Sequence, residues 1–187
     1  MDLIERLLEE RNTKLHGGIY DITQKRFAYH SNKIEGSSLT ENQVSFIYDT
    51  KIIANIVGNM ETTPVERVEE EMRALLIGYN LNNAKELEYL TTFHANFEKI
   101  HPFADGNGRV GRLLLYKECL KEGIIPFIVD DSNKSHYYSA LEELQLRDNK
   151  EPLLTYFQGE QKNYINDLKN KNFDGKINHA KEYSQKV

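Results

Sequence analysis

Apolar residues recur at intervals of three and four along most of this chain, which is the spacing of one buried helix face. Two glycines after His16 interrupt the first apolar stripe, and Gly36 follows the second stripe where a left-handed helix end is expected. The spacing predicts a mostly helical protein. The predicted helices cover an N-terminal stripe from Leu3 to Leu8 and residues 20–35, 64–79, 87–100, 108–122, 135–147 and 152–169.

Capping signals mark where several helices start and end. Thr40, with Gln43 three residues later, forms a capping box for a short additional helix. The run Thr63-Pro64-Val65-Glu66 combines a capping box with proline at the first helical position. Pro102 disfavours the α conformation in the residue before it, so we expect His101 at the C-terminal edge of its helix.

Two stretches favour an extended backbone. Residues 52–57 are rich in isoleucine beside a Gly-Asn turn and predict a small hairpin, while residues 124–129 are apolar but contain Pro126. Residues 170–187 are rich in lysine and nearly aperiodic, which predicts a polar C-terminal tail or an isolated final helix. The predicted fold class is all-α, with a single domain over residues 1–169.

The charge balance narrows the classes of partner. The 187 residues carry 24 Lys and Arg against 29 Asp and Glu, a formal charge of −5. Affinity for nucleic acid depends on clustered basic side chains, so we expect neither a nucleic acid nor a membrane surface as the partner. Cys119 is the only cysteine and the charged N-terminus is unlike a cleaved signal, so we expect a soluble cytoplasmic protein.

The segment from His101 to Arg112, which reads HPFADGNGRVGR, has the composition of an anion-binding site. Gly106 and Gly108 let successive backbone N–H groups converge, and the helix that starts near Gly108 adds its own N–H groups and positive dipole end. Arg109 and Arg112 are three residues apart on that helix, so both guanidinium groups can reach the same phosphate.

Two further side chains of this segment suit the transfer of a phosphate-containing group. Asp105 offers a hard carboxylate oxygen, and one carboxylate with phosphate oxygens and water commonly holds Mg²⁺. An imidazole such as that of His101 can take a proton from an attacking hydroxyl. A lone histidine at a helix end is also commonly a cap, so the argument depends on the whole segment.

The segment resembles the signature of Fic-domain proteins, His-x-Phe-x-Asp/Glu-Gly-Asn-Gly-Arg-x-x-Arg, at all eight defined positions. The resemblance implies the Fic fold, a helical bundle with a short β-hairpin flap. It also implies transfer of AMP from ATP to Ser, Thr or Tyr of a target protein and to the protein itself, with Mg²⁺ required. The roles it implies are general base for His101, metal ligand for Asp105, anion hole for Gly106, Asn107 and Gly108, and phosphate binding for Arg109 and Arg112.

The resemblance extends to weaker patterns outside the motif. Tyr137 and Tyr138 are similar to a tyrosine pair that lies beside the nucleotide, although aromatic residues next to a leucine stripe are also commonly core. Gln145 stands where a polar side chain often meets the adenine. The predicted hairpin at residues 52–60 resembles the flap that holds the target backbone by strand addition.

An inhibitory element is implied near residues 20–36. Fic proteins often carry a helix with the pattern Ser/Thr-x-x-x-Glu-Gly/Asn, and the residues from Ser31 to Gly36 match it ahead of the motif. Ser31 and Glu35 are four apart and share a helix face, so Glu35 could pair with Arg112 and keep that side chain from the γ-phosphate. A solvated carboxylate at a helix end is the alternative interpretation.

Other functions remain compatible with the same residues. Glu35 could position a water that removes AMP from a modified target, and the Doc relatives of this fold transfer a phosphate instead. Transfer of another nucleotide or of phosphocholine is a further alternative. A binding module that senses nucleotides without turnover is the alternative from a different class. Apolar helix faces also suit self-association of the domain into a homo-oligomer.

Overall fold

Eight α-helices make up most of the residues that the computed structural model describes, which are 2–50 and 63–170. No residue in these two ranges lies in a β-strand. The bounds of the helices are α1 Leu3–Thr13, α2 Ile19–Ile34, α3 Glu41–Thr50, α4 Val65–Leu81, α5 Leu87–Ile100, α6 Asn107–Lys121, α7 Lys134–Arg147 and α8 Glu151–Asn170. A short 3₁₀ turn, Asp131–Asn133, precedes α7.

The helices predicted from apolar spacing are confirmed, and from α2 onward their ends agree to within two residues. The capping box before α3 is also confirmed, because the amide of Thr40 donates to Oε1 of Gln43 at 2.8 Å and the amide of Gln43 donates to the Thr40 hydroxyl at 3.3 Å. Gly36 has a φ of 88° and ends α2 in the left-handed conformation, as expected.

The capping box predicted at Thr63 is wrong. Helix α4 begins at Val65, with Pro64 as its N-cap residue and without a side-chain cap. The backbone amide of Thr63 donates instead to the carbonyl of Lys99 at 3.1 Å, and its hydroxyl donates to Glu71 at 2.8 Å. This attachment to the end of α5 directs the Thr63 hydroxyl away from the first turn of α4.

The extended stretch expected at residues 124–129 does not form a strand within this described segment. Its apolar side chains Phe127, Ile128 and Val129 are buried in the core between helices. Gln161 of α8 donates to the carbonyl of Ile125, which supplies the backbone with a partner in place of a neighbouring strand. The predicted hairpin at 52–57, the flap at 52–60 and residues 171–187 of the tail lie outside the described residues.

Helix α5 is central to the packing of the bundle, because α4, α6, α7 and α8 all contact it. Its Leu90 is fully buried together with Leu153 and Phe157 of α8. The ring of Phe157 lies 4.8 Å from that of Phe127 and 5.8 Å from that of His94. Phe97 and Ile100, in the half of α5 that leads into the motif, are buried as well.

Helix α2 crosses the bundle beside α1, α3 and α6. Two bonds attach it to α8: the hydroxyls of Thr23 and Tyr164 lie 3.0 Å apart, and Arg26 donates to Asp167 at 2.7 Å. Arg112 of α6 bonds to Ser31 and Glu35 and so holds the last turn of α2 against the motif helix. Among the helices in the described part of the chain, none is both long and apolar enough to cross a membrane.

Burial predicts a large difference between two leucine substitutions. Leu153 has no exposed surface, whereas Leu146 is 71% exposed. We expect Leu153→Ala to lower the free energy of unfolding by about 2–5 kcal/mol, because a cavity remains where the side chain packed. Leu146→Ala makes the same chemical change on a helix surface and should change the free energy of unfolding by about 0.5 kcal/mol or less.

Urea unfolding followed by circular dichroism measures both effects. Equal losses in the two variants would contradict the assignment of α8 to the core.

Candidate active site

His101 ends helix α5 in a left-handed conformation, with a φ of 55°. Its backbone N–H donates to the carbonyl of Phe97 at 3.1 Å, and its ring Nδ1 lies 3.2 Å from the carbonyl oxygen of Glu98. Because a carbonyl oxygen can only accept, Nδ1 of the neutral ring carries the proton and Nε2 carries the lone pair. The expected position at the edge of α5 is confirmed, and the tautomer is that of a base.

The loop between α5 and α6 is braced by Asn107, whose side chain is almost fully buried. Its Oδ1 accepts from the amide of Phe103 at 2.8 Å, and its Nδ2 donates to the carbonyl of the same residue at 2.6 Å. This two-bond closure fixes a loop that has no regular structure of its own. The resemblance implied an anion-hole role for Asn107, and its side chain lies inside the loop as a brace.

Helix α6 begins directly after Gly106, which has a φ of 82° that an L-residue rarely adopts. The carbonyl of Gly106 accepts from the amide of Val110 at 2.9 Å and so starts the helix. The amides of the first turn have no acceptor within the helix, and they carry its positive dipole end. Gly108 lies in this turn, so the helix start on which the predicted anion hole depends is located at the motif.

Asp105 and Arg109, which were expected to bind metal and phosphate, are bound to each other. Nη2 of Arg109 donates to Oδ2 of Asp105 at 2.8 Å, and the amide of Gly106 donates to Oδ1 at 2.6 Å. Both side chains are partly exposed. Solvent screening keeps the contribution of such a pair small, at about 0–1 kcal/mol, so a phosphate or a cation can compete for either partner.

Arg112 is the most buried charge of the site, with only 2% of its side chain exposed. Its Nε donates to the hydroxyl of Ser31 at 3.1 Å, and its Nη2 donates to the carbonyl of Ser31 at 2.9 Å and to Oε1 of Glu35 at 2.7 Å. These three bonds join α6 to the last turn of α2. The structure therefore brings together Ser31, Glu35 and Arg112, as the sequence pattern predicted.

The close approach of α2 and α6 depends on Gly108. A Cβ at this position would overlap Oε1 of Glu35 and would lie 3.0 Å from Nη1 of Arg112. The missing side chain leaves the space in which the Glu35 carboxylate lies above the first turn of α6. A glycine of the motif is thus also the residue that leaves room for the Glu35 carboxylate.

The tyrosine pair lies beside Arg112, on the face of α7 that packs into the bundle. Tyr137 is fully buried, and its hydroxyl lies 2.8 Å from Nε2 of His94. Tyr138 is partly buried, and its burial, reinforced by the carboxylate of Glu35, raises its pKa to about 12. Tyr137 is therefore part of the core, and Tyr138 is the member of the pair that faces the contact between Glu35 and Arg112.

Gln145 lies two turns further along α7, against the C-terminal half of α5. Its side-chain amide donates to the carbonyl of Ala95 at 3.0 Å, and its backbone carbonyl accepts from Lys99 at 3.4 Å. It lines a cleft of about 520 Å³ with residues of α5 and α7. On α5 the cleft is lined by residues from Thr92 to Lys99, which lies two residues before His101. Gln145 therefore lies near the end of α5 that carries the predicted base.

Sequence reasoning missed two ionisable residues beneath Arg112. His94 and Glu98 are four apart on α5, and their side chains approach to 3.9 Å. Burial lowers the pKa of His94 to about 3 and raises that of Glu98 to about 7. The spacing of His94 within the apolar stripe was visible, but an apolar stripe predicts packing and does not reveal a buried carboxyl as its neighbour.

A second missed cluster contains His30, Asp130 and Asp131. Nδ1 of His30 lies 2.8 Å from Asp131 and 3.7 Å from Asp130. These contacts join the last two turns of α2 to the 3₁₀ turn. His30 precedes the motif by 71 residues while Asp130 follows it by 18, and the contacts between them hold the turn against α2.

The overlap at Gly108 predicts an energetic coupling to Glu35. We expect Gly108→Ala to lower the free energy of unfolding by about 1–3 kcal/mol, because the added methyl group displaces the Glu35 carboxylate from Arg112. In a Glu35→Gly background the same substitution should cost less, because only the tight contact with Nη1 of Arg112 remains. Urea unfolding of the four proteins of this cycle measures the coupling.

Gly78→Ala is the matched control, because a Cβ at Gly78 in α4 meets no described atom within 4 Å. That substitution should raise stability by up to about 1 kcal/mol through helix propensity alone. Identical costs of Gly108→Ala in both backgrounds would contradict the close approach of Glu35.

Comparison with known proteins agrees with this geometry. Residues 8–119 match the family model for the Fic/DOC family. A probable protein adenylyltransferase of Aquifex aeolicus is 43% identical over 68 residues, which are 35% of this chain and 21% of that protein. A protein adenylyltransferase Fic of Drosophila mojavensis is 28% identical over 132 residues, which are 68% of this chain and 24% of that protein. The chain thus spans about a quarter or less of the length of these curated relatives.

Solved structures share the fold. A Fic domain-containing signaling protein from Bacteroides thetaiotaomicron superposes with a TM-score of 0.65 at 16% identity, covering 87% of this chain and 95% of that one. A Fic-1 variant from C. elegans superposes with a TM-score of 0.67 at 17% identity, covering 90% and 72%. The match of the family model over more than half of the chain, together with the motif loop between α5 and α6, shows that this chain belongs to the Fic/DOC family.

Proposed function

We propose that this protein is an adenylyltransferase that moves AMP from ATP to a Ser, Thr or Tyr hydroxyl of a target protein and of itself. The observation that carries the proposal is the arrangement of one loop, in which the base-oriented His101 precedes the open N-terminus of α6 and its two arginines. The names of the curated relatives support the same activity. ATP and an unidentified target protein are the partners that this activity requires.

The residues suggest how the transfer would proceed. The phosphates of ATP bind at the first turn of α6, where backbone N–H groups, Arg109 and Arg112 meet negative charge. The hydroxyl oxygen of the target bonds to the α-phosphorus, the bond to the β-phosphate oxygen breaks, and pyrophosphate leaves. Nε2 of His101 takes the hydroxyl proton. Fixed donors at the α-phosphate stabilise the charge that gathers there in the transition state.

Asp105 is the residue that suits a magnesium ion. It offers a partly exposed carboxylate beside the N-terminus of α6, and one carboxylate with phosphate oxygens and water is the set that Mg²⁺ prefers. A magnesium ion bound there would neutralise charge on the phosphates. Arg109 occupies the same carboxylate in this structure, so binding of the metal would release Arg109 toward the phosphates.

Glu35 is proposed as a built-in inhibitor. A carboxylate bound at 2.7 Å to the nearly buried Arg112 occupies the guanidinium that would otherwise hold the γ-phosphate. ATP must displace Glu35 to bind productively, and each charge-assisted bond to be displaced contributes roughly 1.5–3 kcal/mol. The resting protein would therefore have low activity, and removal of the Glu35 side chain would raise it.

Labelled ATP distinguishes the proposed reaction from its rivals. Incubated with ATP labelled at the α-phosphate and with Mg²⁺, the Glu35→Gly variant should become labelled itself, because AMP contains the α-phosphate. Label from the γ-phosphate would instead indicate phosphoryl transfer. Without protein-bound label from either position, the proposed activity would be wrong and a nucleotide-sensing module would be favoured.

The inhibitory pair predicts opposite effects for two variants. Glu35→Gly should raise self-labelling by about 10- to 100-fold, which corresponds to losing a competing interaction of roughly 1.5–3 kcal/mol. His101→Ala in the Glu35→Gly background should lower it by about 10²- to 10⁴-fold through loss of the base. The initial rate of labelling from α-labelled ATP measures both effects.

Glu122→Gly is the matched control for the inhibitory residue. Glu122 is the C-cap of α6 and is followed by Gly123 with a φ of 71°, just as Glu35 is the C-cap of α2 and is followed by Gly36. It pairs with Lys85 and Lys121 and not with Arg112. If Glu122→Gly activated the protein as strongly as Glu35→Gly, the inhibitory role of Glu35 would be contradicted.

A further inference from the structure

The carboxyl of Glu98 is buried close to the contact between Glu35 and Arg112. Its side chain is 9% exposed, and Oε1 has no hydrogen-bond partner among the residues that the structure describes. On the same helix, Nε2 of His94 lies 3.9 Å from this oxygen, which is too far for a hydrogen bond. A buried oxygen without a partner is costly, so this arrangement calls for a physical explanation.

Helix α6 approaches Glu98 closely because residue 111 is a glycine. A Cβ at Gly111 would overlap Oε1 of Glu98, just as a Cβ at Gly108 would overlap the carboxylate of Glu35. The two glycines are one turn apart on α6, and Arg112 follows the second. Two carboxyls, one from α2 and one from α5, therefore meet the same helix beside a single guanidinium.

The groups around Glu98 fix its electrostatic environment. Burial is the largest influence and raises the pKa of Glu98 to about 7, Arg112 of α6 lowers it, and Glu35 at the end of α2 raises it. Tyr137 and Tyr138 of α7 interact with the same carboxyl, and burial raises the pKa of both. His94 stays neutral near pH 7, since burial and Arg112 lower its pKa to about 3. Arg112 is thus the one cation among the described groups that face both carboxyls.

We propose that Glu98 is a positioning residue that acts through Arg112 and sets how strongly Glu35 inhibits the enzyme. When Glu98 is protonated, Glu35 is the only carboxylate among the described residues that pairs with Arg112, and the inhibitory pair is strongest. When Glu98 ionises, it shares Arg112 and repels Glu35 across the same helix, so the pair weakens. This inference rests on the proposed inhibition by Glu35, and it predicts that inhibition falls as the pH rises through neutrality.

Linkage fixes the sign of the effect. Glu35 disfavours the ionised form of Glu98, so an ionised Glu98 must disfavour the paired state of Glu35 by the same free energy. We define the inhibition factor as the self-labelling rate of Glu35→Gly divided by that of the wild type. Between pH 6 and pH 8 this factor should fall by roughly two- to fivefold, which is most of the change set by a coupling of about 0.5–1 pK unit.

The test measures the inhibition factor from pH 6 to pH 8 with Glu98 and with Glu98→Gln. The ratio cancels the pH dependence of the chemical step, because both members of each pair contain the same base. The factor should fall with pH in the chain that contains Glu98 and stay flat with Glu98→Gln, whose amide cannot ionise. Parallel slopes in the two backgrounds would overturn the proposal, whereas a merely structural role of Glu98 would shift the factor equally at every pH.

A second measurement needs no enzymatic activity. The side-chain carboxyl of Glu98 can be followed by ¹³C NMR in protein labelled at glutamate, with Glu98→Gln providing the assignment. It should titrate near pH 7 in the wild type and at lower pH in Glu35→Gln. Titration at an ordinary glutamate pKa, or an unchanged pKa in Glu35→Gln, would overturn the coupling even if the protein transfers AMP. If self-labelling is absent but the coupled titration is observed, the proposed function fails while the electrostatic link between the two carboxyls holds.

Discussion

The guanidinium of Arg112 is almost completely removed from water, and a buried charge is tolerated only when its donors are paired. Its partners are the hydroxyl and carbonyl of Ser31 and the carboxylate of Glu35, all in the last turn of α2. This requirement determines where α2 must end relative to α6. The bonds from α2 to α8 and the left-handed Gly36 hold that end in place. The position of α2 and the pairing of Arg112 in the candidate active site therefore depend on the same requirement.

Helix α6 meets this constraint through its small residues. Gly108 leaves room for Glu35 and Gly111 leaves room for Glu98, so two carboxyls approach the helix on which Arg112 lies. Glycine is usually unfavourable inside a helix, by about 1 kcal/mol relative to alanine. Here its absence of a side chain allows close contacts that a larger residue would block. The same turn of α6 is an open helix start and the surface that the Glu35 carboxylate contacts.

The rigid and the exchangeable parts of the site are clearly separated. Buried bonds fix the loop and the helices behind it, namely the closure by Asn107 and the contact between His94 and Tyr137. Asp105 and Arg109 instead form a partly exposed pair at the mouth of the site. Rigid support with weakly held charged groups at the mouth is well suited to phosphate binding, because the positions of the donors are preorganised while their temporary partners can leave.

Local pattern was enough to predict the helices, the break at His101 and the identity of the motif. Apolar spacing reports which face of a helix is buried, and all eight defined motif positions lie within twelve consecutive residues. Resemblance to a family also suggested the pairing of Glu35 with Arg112. The bond from Arg112 to the backbone of Ser31 and the space left by Gly108 could not be predicted, since they join residues more than 70 positions apart.

Tertiary structure decided the environment of three segments whose local sequence pattern suggested something else. Thr63 has the local pattern of a cap, but the carbonyl of Lys99 lies close enough to take its amide. Residues 124–129 have the composition of a strand, but the helices around them bury that segment without a neighbouring strand. Glu98 looks like an ordinary charged position, and it becomes a buried carboxyl because a glycine lies opposite it on α6. The sequence by itself determined the helices and the chemistry of the loop, because both depend on neighbours within a few residues. Only the packing of distant segments decided how each buried charge is paired, because burial removes the water that would otherwise satisfy it.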